Sequence, residues 1–118
     1  MVRTTLLKHA ADLKRGPLEK CHGGKGTLDF TVVCDGRECD GQHLRFLHDD
    51  VLPPGASIGV HQHTHEEHYY VLSGRGTMVL DGKSHPVGPG DVGSVYPGGS
   101  HGLVNNSPEP LRLIVIGL

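Results

Sequence analysis

The chain has no hydrophobic run of membrane-spanning length, no marked excess of either charge, few cysteines and no internal repeat or low-complexity segment. Each absence excludes something. A membrane helix needs about 18 or more consecutive apolar residues, and no stretch approaches that. The 11 lysines and arginines nearly balance the 13 aspartates and glutamates, for a formal net charge of −2. No basic stripe is present for nucleic acid or an anionic membrane surface. The opening MVRTTLLKHAADLKRG is not a secretory signal, because Lys8, Asp12, Lys14 and Arg15 interrupt its apolar residues. A cytoplasmic location is therefore expected. Cysteines number only 3, Cys21, Cys34 and Cys39. In a reducing compartment such an odd set reads as free thiols. Cys34 and Cys39 flank DGRE, which reads as a hairpin turn. Cross-strand thiols there could be near enough to bridge or to share a zinc, though two ligands alone do not make a structural zinc site, which needs four.

What the sequence does have is turn chemistry. Its 18 glycines and 8 prolines are spread along 118 residues, enough chain for one compact domain. One stretch, Leu6 to Arg15, carries Leu6, Leu7, Ala10 and Leu13 at helical spacing and stops at Gly16-Pro17. From Thr27 the apolar period changes to two. TLDFTVV (27–33), HLRFLHDDVL (43–52), SIGVHQH (57–63), HYYVLSG (68–74), GTMVLDG (76–82), KSHPVGP (83–89), DVGSVY (91–96), HGLVN (101–105) and LRLIVIG (111–117) read as strands. Short strands joined by SGRG, DGK, GPGD, YPGGS and NNSPEP predict an all-β sandwich or barrel with a short peripheral N-terminal helix. Residues 1–26 form a helix-and-loop extension in this reading, and residues 27–118 the barrel.

Histidine is plentiful, with 10 in the chain, and 4 of them fall in HQHTHEEHYY (61–70). His61 and His63 lie two apart on a strand, so their side chains share a face. Thr64 to Glu66 can turn, which lets Glu67 begin a returning strand beside them. The resulting hairpin presents His, His and Glu to one point. His101, at the head of a later strand, is a third imidazole. Three imidazoles and a carboxylate suit Fe(II), Mn(II), Ni(II), Zn(II) or Cu(II). The plain alternative is a polar barrel mouth that holds no metal.

These spacings resemble those of the cupins, small β-barrel proteins of jelly-roll topology. The first cupin motif, G-x5-H-x-H-x3-4-E-x6-G, is matched by Gly55, His61, His63, Glu67 and Gly74. The second, G-x5-P-x-G-x2-H-x3-N, is matched by Gly90, Gly98, His101 and Asn105, with Tyr96 standing where the family has proline. The resemblance implies a double-stranded β-helix barrel and one divalent transition metal on His61, His63, Glu67 and His101. Small cupins commonly pair, so it also implies a homodimer. Physically, an open sheet edge at 27–33 or 111–118 would need covering.

Other residues divide by position. Tyr69 shares a face with Glu67, and Tyr96 occupies an unusual site, so both are candidate acid–base groups. His65 and Glu66 belong to the expected turn, and His68 faces away from Glu67. His22 reads as a loop residue, Arg45 and Arg112 as surface residues, and no cysteine is close to the motif in sequence. The expected activity is metal-dependent chemistry on a small polar molecule, of dioxygenase, isomerase, lyase or decarboxylase type. A non-catalytic cupin that binds a small ligand or metal is the alternative. No nucleic-acid or membrane partner is expected.

Overall fold

A computed structural model describes residues 4–39 and 43–118, apart from the Cys39 side chain. Ten strands form in the described residues: β1 (Lys14–Glu19), β2 (Thr27–Asp35), β3 (Phe46–Leu52), β4 (Ser57–Gln62), β5 (Glu67–Ser73), β6 (Gly76–Leu80), β7 (Lys83–Val87), β8 (Val92–Val95), β9 (Ser100–Val104) and β10 (Leu111–Gly117). They build a six-stranded sheet in the order β1-β2-β3-β10-β5-β8 and a four-stranded sheet in the order β4-β9-β6-β7. All pairings are antiparallel. No strand ladder joins the two sheets among the described residues, so the jelly-roll is an open sandwich rather than a closed barrel.

The sandwich is held by alternation. Along β10, Leu111, Leu113, Val115 and Gly117 point inward and are buried, while the residues between them are more exposed. They meet Leu52, Ile58, Val71, Met78 and Leu103 in one core drawn from both sheets. Period-two patterning places one apolar face of each sheet against the other. Gly93 on β8 shows how close the layers come. A Cβ there would lie 1.9 Å from Met78 Sδ on β6. Asn105 closes the far end of the fold. Its buried amide donates to Leu52 O (2.8 Å) and Glu109 O (2.7 Å) and accepts from the Ser107 backbone N–H (3.0 Å).

The N-terminal helix does not form. A single 3-10 turn, Ala10–Asp12, stands in its place, and Lys14–Glu19 is strand β1. The helical spacing of Leu6, Leu7, Ala10 and Leu13 meets no apolar surface, and Leu7 is 78% exposed. A helix of that length is marginal without tertiary packing. Pairing 14–19 with β2 instead satisfies backbone groups that would otherwise sit on an open edge. For the same reason neither edge expected from the sequence exists. β2 lies between β1 and β3, and β10 lies between β3 and β5. The connection after β2 also differs from a tight hairpin. It contains one helical turn, α1 (Gly36–Cys39), with Asp35 Oδ1 accepting the Glu38 N–H at 2.7 Å. Cys34 is disulfide-bonded, the bridged alternative to the free thiols that a reducing compartment favours.

Candidate metal centre

The four residues singled out by spacing converge. His61 and His101 are direct cross-strand partners on β4 and β9. His63 follows β4, and its backbone N–H bonds Gly99 O at 2.8 Å. Glu67 opens β5, which belongs to the other sheet. The expected β4–β5 hairpin is therefore not a hairpin. The 63–66 connection crosses between sheets, so Glu67 reaches the histidines across the interior of the sandwich. Gly98, with φ +91°, makes the sharp turn that delivers β9.

One ligand atom from each of His61, His63, Glu67 and His101 lies within 4.8 Å of every other. His63 Nε2 is 2.8 Å from His61 Nε2 and 3.7 Å from Glu67 Oε2. His101 Nε2 is 3.4 Å from Glu67 Oε1. Donors about 2.1 Å from one ion sit about 3–4.2 Å apart, so the set is of ligand dimensions. His61 Nδ1 lies 2.7 Å from Gly59 O. A carbonyl only accepts, so the ring hydrogen is on Nδ1 and the Nε2 lone pair faces the cluster. Burial holds the His61 and His63 rings below the usual histidine value, with the neighbouring imidazoles acting in the same direction. Both rings are thus neutral ligands near pH 7. Burial pushes the Glu67 carboxyl up, but the His101 and His63 rings beside it hold it below its ordinary value overall. The carboxylate is ionised.

His101 is 0% exposed, and neither of its ring nitrogens has a hydrogen-bond partner. Leaving buried polar groups unpaired costs about 1–3 kcal/mol each. A cation on Nε2 would remove that cost for one of the two, so the donor set fits a transition metal on a physical ground independent of its spacing. The Tyr69 ring stacks on His101 with centroids 4.2 Å apart and fixes its plane. Burial, with Glu67 nearby, raises the Tyr69 hydroxyl well above its ordinary value, so it keeps its proton.

The cluster opens into a cavity of about 410 Å³. Leu18, Phe30, Phe46, Ile58 and Val115 form apolar walls. Cys21, His22, His48 and Asp50 add polar groups that the sequence reading did not place there. Cys21 corrects the expectation that no cysteine lies near the site. Its thiol is pushed up to about 11 by burial, with Asp50 and Glu67 adding to the effect. His22 stacks on His61 with centroids 3.6 Å apart. Both residues arrive on a turn whose Lys20 and His22 have positive φ (48° and 50°). The turn docks where Gly59 gives up its side chain, since a Cβ there would lie 2.1 Å from His22 O. No local pattern announces this. Asp50 did carry a signal, because it shares strand parity with buried Leu52.

Other candidates lie elsewhere. Tyr96 is 55% exposed, outside the cavity, with its ring edge-on to His68. His68 faces outward, its Nδ1 2.6 Å from Ser94 Oγ and its Nε2 2.6 Å from Glu66 Oε2. His65 meets His63 edge-on at the cavity rim. Arg112 pairs with Asp49 on the outside, and Arg45 donates to Leu118 O. A larger surface depression of about 720 Å³ beside Arg37, His43 and Arg45 holds none of the four ligands.

A two-sheet sandwich with a His3Glu cluster between its layers defines a class. The cupin domain family matches residues 49–117, and the chain belongs to that family. It is 29% identical to the oxalate-binding protein of Thermotoga maritima, over 96% of this chain and 93% of that one. The crystal structure of a predicted oxalate decarboxylase from Thermotoga maritima superposes with a TM-score of 0.88 at 27% identity, covering 96% of this chain and 98% of that one. The polyketide cyclase RemF from Streptomyces resistomycificus superposes at 0.75 and 27% identity, over 97% of this chain and 79% of that one. L-ectoine synthase from Bordetella parapertussis is 30% identical over 65% of this chain, which spans 59% of that enzyme. No helix of the described residues is long and apolar enough to cross a membrane.

Proposed function

We propose that this cupin holds one divalent transition metal on His61, His63, Glu67 and His101 and acts on a small carboxylate-bearing molecule in the adjoining cavity. The observation that carries the reading is His101, wholly buried, with neither ring nitrogen hydrogen-bonded and Nε2 facing Glu67 Oε1 at 3.4 Å, in a donor set of ligand dimensions. The mixed nitrogen and oxygen donors suit Fe, Mn, Ni, Zn or Cu. When bound, such a metal would supply Lewis acidity toward an oxygen-bearing molecule in the adjoining cavity. The protein's own groups do the rest. Phe30, Phe46 and Val115 line the cavity with apolar surface, Tyr69 stacks on the His101 ring, and a cavity of about 410 Å³ is of small-molecule size. Similarity to an oxalate-binding protein across nearly the whole chain supports a small carboxylate as ligand.

The same similarity favours a second reading, a cupin that binds such a molecule without converting it. Elemental analysis of untagged protein, purified without chelator or nickel resin, tests the shared part. About one transition metal per chain is expected, absent from a His61→Ala/His101→Ala double variant. No metal in either after anaerobic reloading would overturn it. Incubating metal-loaded protein with small acids separates the two readings: an enzyme depletes one of them, whereas a binding module saturates without loss.

We also propose a homodimer in the cytoplasm. The outward face of β5 and β8 carries Tyr70, Leu72 and Val92, all exposed, with Tyr70 and Val92 in register. Burying these apolar groups favours pairing. Light scattering at several concentrations checks it, and a concentration-independent monomer would remove it.

A further inference from the structure

Asp50 is the one buried carboxyl of the cavity that the metal cluster does not use. It sits on β3, is 4% exposed and lines the cavity. Its Oδ1 has no hydrogen-bond partner. The Thr31 backbone N–H acts on the carboxyl group in the opposite direction to burial, favouring the ionised form. Among the described residues, no lysine or arginine lines the cavity to act as counter-ion. The charged and titratable groups acting on Asp50 are Asp29 from β2, Asp49 beside it, Glu67 and Tyr69 from β5, and Cys21 from the 3-10 turn. None of these is a cation; His22, His48, His61 and His63 share the cavity, and burial holds the rings of His48, His61 and His63 below the usual histidine value. A buried carboxyl in such company keeps its proton to higher pH, and burial raises this one to about 7. A protonated carboxyl is a hydrogen-bond donor as well as an acceptor. An unpartnered polar atom buried beside a ligand-sized cavity calls for a partner from the ligand.

We propose that the Asp50 carboxyl is the second anchor of this cavity, donating a hydrogen bond to one carboxylate of a small dicarboxylate whose other carboxylate is held at the His61, His63, Glu67 and His101 cluster. The inference rests on the metal-and-carboxylate reading above and adds the ligand class. A monocarboxylate held at the cluster has no second carboxylate for Asp50. A dicarboxylate has a free end in a cavity where Asp50 is the partnerless donor. Selection then follows from a difference: the cluster takes either acid, and Asp50 favours the second.

The test is calorimetric titration of manganese-loaded protein with formate and with oxalate, malonate and succinate in turn, at pH 6. Wild type, Asp50→Leu and Asp50→Asn are compared, each checked for fold by circular dichroism and for metal by elemental analysis. Leucine keeps apolar volume and removes the donor. Asparagine keeps the shape and an N–H donor. The preferred dicarboxylate is expected to lose about ten-fold or more in affinity in Asp50→Leu. Formate affinity should be unchanged in both variants, and Asp50→Asn should recover most of the loss. An unchanged dicarboxylate-to-formate ratio in Asp50→Leu, at full metal content, would overturn the anchor and leave the metal reading intact. Failure of wild type to take up manganese, or to bind any of these acids once loaded, would overturn the underlying reading and the anchor with it. Should Asp50→Leu not fold, the Asn variant decides by pH. Wild-type dicarboxylate affinity should fall between pH 6 and pH 8 more steeply than that of Asp50→Asn, and parallel slopes would overturn the anchor.

Discussion

Asp49 and Asp50 are adjacent in β3, and the fold gives them opposite chemistry. Asp49 points out of the sandwich, where the Arg112 guanidinium holds it at both oxygens, at 2.9 and 2.6 Å. Arg112 accordingly keeps the Asp49 carboxyl below its usual range. Asp50 points in, has no cation, and is raised to about 7 by burial. Glu67 and His68 on β5 repeat the contrast. Glu67 joins the His61, His63 and His101 cluster, while His68 bonds Ser94 and Glu66 on the surface. Residue type does not assign these roles. Strand parity does, because a one-residue step reverses the face and with it the solvent.

The largest expected effect comes from deleting an inward donor. His63→Ala or His101→Ala should weaken metal binding by more than the roughly 10–100-fold that outer partners of a ligand typically cost. Circular dichroism should still report the β fold. If both variants bind metal at wild-type strength by calorimetry, the inward face is not a metal site and the contrast on β5 loses its meaning.

The second effect concerns stability, and it has a sign. Asp50 has a raised value in the folded state, so the folded chain binds its proton more tightly than the unfolded chain does. Its contribution is fully present below the unfolded value near 3.8 and is lost as pH rises to about 7. A shift of about three units corresponds to roughly 4 kcal/mol as an upper bound. Asp50→Asn removes the ionisation but keeps the shape. Urea unfolding of metal-free protein should find the variant more stable than wild type at pH 8, by about 1–4 kcal/mol, with the gap narrowing below pH 7 and closing only at about pH 4. A gap that does not change with pH would mean that Asp50 is not desolvated.

Parity explains how much of this was legible beforehand. Strands 27–33, 57–63, 68–74, 76–82 and 111–117 announce themselves by alternation and by the glycines and asparagines between them. Each lies within a residue or two of a strand in the structure. The four donors were legible because three of them fall within seven residues and the fourth heads a strand after YPGGS. What was not legible depended on other elements. The spacing of Leu6 to Leu13 is as helical as any, but no surface receives it, and the open edge of β2 took Lys14–Glu19 instead. Glu67 was expected to meet the histidines within a hairpin, and it meets them from the opposite sheet. Cys21 and His22 reach the cavity through left-handed backbone at Lys20 and His22, which non-glycine residues rarely adopt and the sequence does not signal.

A smaller effect sharpens the comparison from the outer side. Asp49 has a lowered value, so its contribution is present above the unfolded value near 3.8 and is lost as pH falls through the folded one. That is the reverse of Asp50. The pair is half in solvent, with the Arg112 side chain 49% exposed, so Asp49→Asn should cost only about 0.2–1 kcal/mol at pH 7 and nothing near pH 2. Equal and same-signed pH slopes in Asp49→Asn and Asp50→Asn would show that the two aspartates share one environment.

The smallest effect is the most pointed control. His68 lies one residue from Glu67, and its ring is as able to bind a metal as any of the three in the cluster. If histidine density alone made the site, removing it should matter. The fold turns its ring outward onto Ser94 Oγ and Glu66 Oε2, at 2.6 Å each, with the side chain 22% exposed. His68→Ala should therefore leave metal stoichiometry and affinity at wild-type values by elemental analysis and calorimetry. Its cost should be about 0.5–1.5 kcal/mol of stability in urea, the worth of partly exposed hydrogen bonds. A drop in metal affinity comparable to that of His63→Ala would put both faces of β5 in the same site, which a pleated strand cannot do without changing register.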